Sequence, residues 1–201
     1  MTRQERKEQI LSTACRLFSQ KGYHGTTIRD ISEACGILSG SLYAHIRTKE
    51  DLLYEITNRG AEAFLNSLRP IVESDAPAVD KLRQAVIAHI KVVEANLEAA
   101  TVYFHEWKGL SKERFCEIQE KRDRYEKMWA RLVSQGIREG EFRQVDEKFV
   151  RLLLLSVGNW LYQWYRPEGE LPPEEIADRF MDLFLDGLAN RKQGEMPGPM
   201  S

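Results

Sequence analysis

Apolar residues return at helical spacing along almost the whole of this 201-residue chain, and no stretch alternates as a strand would. Within residues 3–21, Ile10, Leu11, Ala14, Leu17 and Phe18 form one stripe opposite a charged face, and Gly22 closes the helix. Ile28, Ile31, Ala34 and Cys35 make a second, shorter stripe. Thr26 and Thr27 stand before it as candidate N-caps, since a threonine hydroxyl accepts the orphan N–H two or three residues on. Gly36 falls where the chain must turn sharply. Residues 39–46 then predict a third helix with Leu42 and Ile46 facing inward, while Ser39, Gly40, Ser41, Tyr43 and His45 lie around its outer faces. A fourth helix begins near Lys49 and runs to about residue 68, carrying Leu52, Leu53, Ile56, Ala63, Phe64 and Leu68. Gly60 inside it is either a hinge or a packing contact.

After a linker over residues 70–77 the pattern is helical again, over about residues 78–98, 100–107, 112–139, 147–165 and 173–191. Gly109, Gly140, Pro167, Gly169 and Pro172 stand at the breaks, and Pro173 suits a first helical turn. Two of these segments differ from the others. Residues 147–165 are apolar around nearly their whole circumference, and the last helix nearly repeats this through Ile176, Phe180, Met181, Leu183, Phe184, Leu185 and Leu188. A helix apolar all round must be covered on both sides, and a subunit covers one. The pattern predicts an all-α protein: a three-helix head over residues 3–63, a larger helical body over 64–192, and a Gly/Pro-rich, disordered tail over 193–201.

Composition adds limits. The net charge is −2, and the first 63 residues carry nine Lys and Arg against eight Asp and Glu, so any affinity for nucleic acid rests on local placement. His24, Arg29, His45, Arg47 and Lys49 provide such a cluster around the second and third helices. Three cysteines without framework spacing indicate a reducing compartment, with Cys15 and Cys35 as buried thiols. The charged start lacks a signal peptide's apolar region, and the most apolar run, residues 149–165, is too short and too interrupted to span a bilayer. A cytoplasmic protein without membrane partners is expected.

A short helix presenting small residues, hydroxyls, a phenol and an imidazole suits the DNA major groove, because small residues permit close approach and the others donate to phosphates or base edges. By geometry alone, residues 25–51 are either a DNA-reading helix-turn-helix or an ordinary helical hairpin. The residues themselves narrow this: GYHGTTIRDI at 22–31, CGI at 35–37, GSLYAHI at 40–46 and KEDLL at 49–53 resemble the DNA-binding domain of the TetR family of bacterial transcriptional regulators. Leu38 stands where the family usually has Ser or Thr as cap, so Ser39 is expected to cap one residue later, and Ile46 replaces the usual Phe. The resemblance implies operator binding through Thr26, Thr27, Arg29, Ser39, Gly40, Ser41, Tyr43, His45 and Lys49, with Tyr43 and Lys49 on phosphates. It also implies a homodimer through the two all-round apolar helices, at Val150, Leu154, Val157, Leu161, Phe180, Leu183 and Phe184.

All four tryptophans lie in the body, among an unusual density of aromatic residues. Aromatics at helical spacing serve either as core or as the walls of an apolar ligand site, where a few polar groups such as Asn159, Gln163, His105 or Glu106 would orient the ligand. FHEW at 104–107 and NWLYQWYRPEGELPPEEIAD at 159–178 resemble the TetR subgroup governing fatty-acid, steroid or aromatic-acid breakdown. That resemblance implies no cofactor but a small-molecule effector, an acyl-CoA thioester, held by Tyr103, Phe104, Trp107, Arg122, Tyr125, Trp129, Asn159, Trp160, Gln163 and Trp164. Lys121, Arg122, Arg124 and Arg114 would meet CoA phosphates or form a solvated face. An enzyme is not indicated: none of the four histidines has a Glu three residues before it, and no Ser–His–acid signature occurs. A helical lipid carrier without DNA binding accounts for the aromatics but not for residues 25–51.

Overall fold

A computed structural model describes residues 2–166 and 168–186, all helical or in connecting turns. The end of the last predicted helix with Leu188, the tail over 193–201, and Pro167 lie outside the described residues. The head comprises α1 (Arg3–Lys21), α2 (Ile28–Ala34) and α3 (Ser39–Leu42). The body holds α5 (Ala78–Ala95), α6 (Leu97–His105), a 3-10 turn (Trp107–Gly109), α7 (Lys112–Glu139), α8 (Glu147–Asn159), α9 (Leu161–Trp164) and α10 (Pro173–Asp186). The 25-residue α4 (Lys49–Glu73) belongs to both.

Each head helix except α3 starts at a threonine with a capping box. Thr2, Thr27 and Thr48 accept the N–H of Glu5, Asp30 and Asp51, whose carboxylates return the bond. Four boundaries differ from the sequence pattern. The third helix stops at Leu42, and residues 43–45 continue as turns. Pro70 does not begin the linker: α4 continues through it to Glu73, the lost N–H bond being offset by Leu68, Ile71 and Val72 packed on the core. Asn96 both ends α5 and caps α6, its side chain accepting the Ala99 N–H at 2.8 Å, so the body's first helix ends before residue 98. Residues 147–165 break at Trp160, next to Gly158.

Two hydrophobic clusters organise the chain. One fills the body, around Phe64, Leu68, Tyr125, Trp129 and Leu132. The other fills the head but includes Val102, Trp107, Leu110 and Ile118 from α6, the 3-10 turn and α7. Cutting the chain at residue 63 therefore cuts a core. No helix among the described residues is long and apolar enough to cross a membrane.

Candidate nucleic-acid interface and effector cavity

The reading surface is built on α2 and α3. Gly36, at φ 65°, turns the chain between them, and the Ile37 N–H reaches Ser32 O at 3.0 Å. Ser39 does not cap α3: Leu38 occupies the cap without a side-chain bond, and the Ser39 hydroxyl instead meets the Ser32 hydroxyl at 2.8 Å, tying α3 to α2. Thr27, Arg29, Gly40, Ser41 and Tyr43 are exposed, and Ser39 and His45 half-buried, so the outer face predicted for the third helix is present. Arg3, Lys7 and Arg47 gather beside Tyr43 and His45 around a shallow groove. Leu38, to which the sequence pattern gave no contact role, is 81 % exposed, an apolar group of the kind that meets a thymine methyl.

Two of the expected contact residues face inward. Thr26 is fully buried and is not a cap; its hydroxyl donates to Gly22 O at 2.9 Å and Leu17 O at 3.3 Å, closing the end of α1. Lys49 is half-buried, and Nζ donates to the carbonyls of Tyr23 and Thr26, both at 2.7 Å, while lying 4.2 Å over the Tyr23 ring. Burial holds its ammonium below the usual lysine range. In this geometry Lys49 fastens α4 to the turn before α2 and presents no free ammonium to a phosphate.

Tyr23 is also held from the body. Its N–H donates to Glu106 Oε2 at 2.8 Å, and a side chain at Gly109 would press on its ring at 2.9 Å. Further along, Ser111 N–H donates to Glu50 at 2.9 Å and Arg114 pairs with Asp51 at 2.6 Å. Trp107, expected as a ligand wall, instead stacks on Phe115 at 4.6 Å inside the head's core.

In the body, Tyr103, Phe104, Arg122, Tyr125 and Asn159 converge, with Phe64 and His89, on a cavity of about 20 Å³. Trp129 lines a second cavity of about 200 Å³, between α5, α7, α8 and α10, whose walls include Val86, Leu153, Val157, Leu161 and Phe184. His89 borders both. Trp160, Gln163 and Trp164 are exposed, Trp164 resting edge-on against Phe180 at 6.2 Å, so the structure does not bring these three into either cavity.

Arg122 lies between rings, its guanidinium carbon 4.8 Å from both the Tyr103 and Trp107 centroids, and its buried Nη1 has no hydrogen-bond partner. His89 is buried, Nδ1 sits 2.9 Å from the Tyr125 hydroxyl, and Nε2 lies against the Gly158 backbone. Burial pushes the imidazole down to about 4, against a smaller opposing pull from the Gly158 backbone. Burial likewise pushes the Tyr125 and Tyr103 hydroxyls up, so both stay protonated. The Cys15 thiol, pushed up to about 12 by burial, is inert. Sequence reasoning missed His89; the available signal was one imidazole within the apolar run Val86–Val93 of an amphipathic helix.

The expected dimer residues divide. Leu161 is fully buried within the subunit, Val150, Leu154, Val157, Phe180 and Phe184 are half-buried, and Leu183 alone is exposed. The exposed apolar face of α8 is Phe149, Leu152 and Leu153, continued by Trp160, beside Leu183 and Leu185 of α10.

Known proteins place this architecture. Residues 10–56 match the profile of bacterial regulatory proteins, tetR family, and residues 75–188 that of the tetracyclin repressor-like C-terminal domain. The HTH-type transcriptional repressor KstR2 of Rhodococcus jostii (strain RHA1) is 32% identical over 187 residues, 92% of each chain. The solved ketosteroid transcriptional regulator KstR2 of Mycobacterium tuberculosis gives a TM-score of 0.85 at 30% identity, over 92% of this chain and 96% of that one. AibR, solved in complex with isovaleryl coenzyme A and operator DNA, gives 0.80 at 31% identity, over 90% and 98%.

Proposed function

Because the chain belongs to the TetR family of bacterial transcriptional regulators, we propose that it is a homodimeric repressor, released from a palindromic operator when an acyl-CoA thioester enters its body. The family is one of DNA-binding regulators and not of enzymes, and the match over residues 10–56 sets aside a carrier without DNA binding.

The observation that carries the reading is the double membership of the segment after α6. Trp107 packs in the head's core and at the same time covers Arg122 of the aromatic cage, while its neighbour Glu106 holds the Tyr23 N–H. An effector that displaces Arg122 or the α6 aromatics thus pulls on the turn between α1 and α2. The same α6 packs on α4, whose first turn is bonded to that turn through Lys49. Support for the acyl-CoA comes from the apolar cavity with its few polar groups, and from AibR, which carries isovaleryl coenzyme A with operator DNA. The dimer reading rests on the unpartnered apolar face of α8 and α10. Two-fold symmetry then sets half-sites about one helical turn apart, roughly 34–36 Å, or a multiple.

Titration calorimetry with acyl-CoAs, with and without operator duplex, tests the reading. A coupling of about 1–3 kcal/mol weakens operator binding roughly 5–150-fold, and operator must weaken thioester binding by the same factor. Equal thioester affinity in both conditions would defeat it. Glu106→Ala should keep thioester affinity within about twofold while the operator response shrinks toward none.

A further inference from the structure

Phe64 and Tyr103, which border the aromatic cage, also border a separate cleft of about 340 Å³. None of its residues lines the cavity between α5, α7, α8 and α10. Its walls come from both parts of the molecule: α1 on one side, α5 and α6 on the other, and α4 between them. The sequence leaves the space open through small side chains, because Ser12, Ala63, Ala99 and Ala100 stand where longer ones would close α1 onto α4 and α6. Ser12 and Ala63 are exposed at its mouth. Gly60 lets α4 meet the Tyr103 ring of α6, since a Cβ there would stand 3.1 Å from that ring. An apolar cavity of about 150 Å³ accepts benzene, so this cleft has room for an apolar ring.

The charged groups around the cleft do not balance. Arg59 spends its guanidinium on two carboxylates, reaching Glu8 at 2.7 and 2.9 Å and Glu55 at 2.8 Å. Glu98, half-buried at the start of α6, lines the cleft and belongs to no ion pair among the described residues. Its charge is felt across the cleft on α1, where it adds to the burial that pushes the Cys15 thiol up. Three carboxylates thus stand against one guanidinium. Hydrocarbon walls with an excess of negative charge attract an apolar cation and repel an anion such as a CoA thioester.

We propose that this cleft is a second small-molecule site, which takes a protonated amine carrying an apolar group. The apolar part lies between α1 and α6, and the ammonium donates to Glu98. Because the walls belong to head and body at once, a tilt of the head changes their separation, and occupancy is linked to operator binding. The inference does not rest on the acyl-CoA reading, since both the residues and the ligand class differ.

The test uses the full-length protein and three probes of one shape: naphthylmethylamine, naphthylmethanol and naphthoate. Calorimetry should place the amine about two- to fivefold ahead of the alcohol, the worth of a half-exposed ion pair, with naphthoate last. Added salt should shrink that lead. Glu98→Gln should remove it and leave alcohol binding unchanged. Ser12→Trp and Ala63→Trp, each checked by thermal melting for a folded protein, fill the mouth from α1 and from α4. Each should weaken amine binding at least about tenfold, as the loss of an apolar contact does. Saturating amine should change operator affinity by about fivefold or more. Alcohol or naphthoate binding as tightly as the amine, a lead that survives in Glu98→Gln, or undiminished binding in both tryptophan variants overturns the site. Equal amine affinity with and without operator duplex overturns its link to DNA. Isovaleryl-CoA titrated in parallel keeps the two readings apart. Amine binding without a thioester response removes only the acyl-CoA reading, and a thioester response without amine binding removes only this one.

Discussion

Head and body are both helical and both have hydrophobic cores, yet they treat polar groups differently. In the head, three threonines and their acidic partners close helix starts, Thr26 spends its hydroxyl on α1, and Lys49 satisfies two carbonyls. In the body, His89, Trp129 and Arg122 line two cavities that the described residues leave unfilled. The outer surfaces differ as well: the head exposes serines, threonine and arginine, while α8 and α10 expose Phe149, Leu152, Leu153 and Leu183. In the reading surface one buried atom, His45 Nδ1, stands without a partner, while Thr26, Thr27, Ser39 and Lys49 are bonded within the head. On the function proposed above, the body is completed from outside, once by a second copy and once by a ligand.

The outer-surface half of that contrast is the easiest to break. Phe149→Glu combined with Leu152→Glu, neither of which lines the cavity, should give a monomer by light scattering, and with it a loss of about 10²–10⁴ in operator affinity as the second half-site contact is lost. A stable dimer would show that the apolar face serves something else. Acid tests the interior half. His89 is held neutral in the folded body with its pKa near 4, below its unfolded value of 6.5. Unfolded chain binds this proton first, so the contribution is complete above about pH 6.5 and is lost as pH falls toward 4, roughly 3 kcal/mol in all. Denaturant titrations at pH 7 and pH 4.5 should record this loss, and His89→Phe should flatten that part of the profile.

Lys49 sharpens the comparison from the head's side. Lys49→Met removes the bond to the Tyr23 carbonyl, leaves the Thr26 carbonyl unpaired, and should destabilise the protein by about 1–3 kcal/mol while leaving the salt dependence of operator binding unchanged. Unchanged stability with the salt slope reduced by about one would return Lys49 to the phosphates. The smallest effect belongs to Leu38, the one head cap without a side-chain bond. Leu38→Thr should stabilise the protein by about 1 kcal/mol in thermal melts and relax the preference for a thymine at one operator position.

The helices themselves were legible in the sequence because their apolar stripes repeat at 3.6 residues, and α1 and α7 have the predicted ends. Boundaries moved where a single residue decided a local contest: Asn96 by capping, and Pro70 by being outweighed by its packed neighbours. The site was less legible, for a different reason. A helix apolar on every side carries no record of which side faces its own subunit, so the expected positions Val150 and Leu154 of α8 pack on the body's core, and the exposed face, Phe149, Leu152 and Leu153, is turned about the helix axis from them. Likewise, aromatic density located the cage around Tyr103, Phe104 and Tyr125, but spacing does not distinguish Trp107, which serves the head, from Trp129, which lines the cavity.

Val102, Trp107, Leu110 and Ile118 finish the core of a head to which they do not belong in sequence. Reading heads and sensing bodies are therefore poor interchangeable parts. A chimeric biosensor spliced near residue 63 would join one protein's α1–α4 to another's tryptophan turn, and its first defect would be a hole under α1 rather than a wrong ligand. The transferable unit is discontinuous: the N-terminal helices together with the strip from residue 102 to 118. Inheritance is under the same constraint, since a recombination event at the domain border inherits new operator specificity only when the graft and that strip already fit.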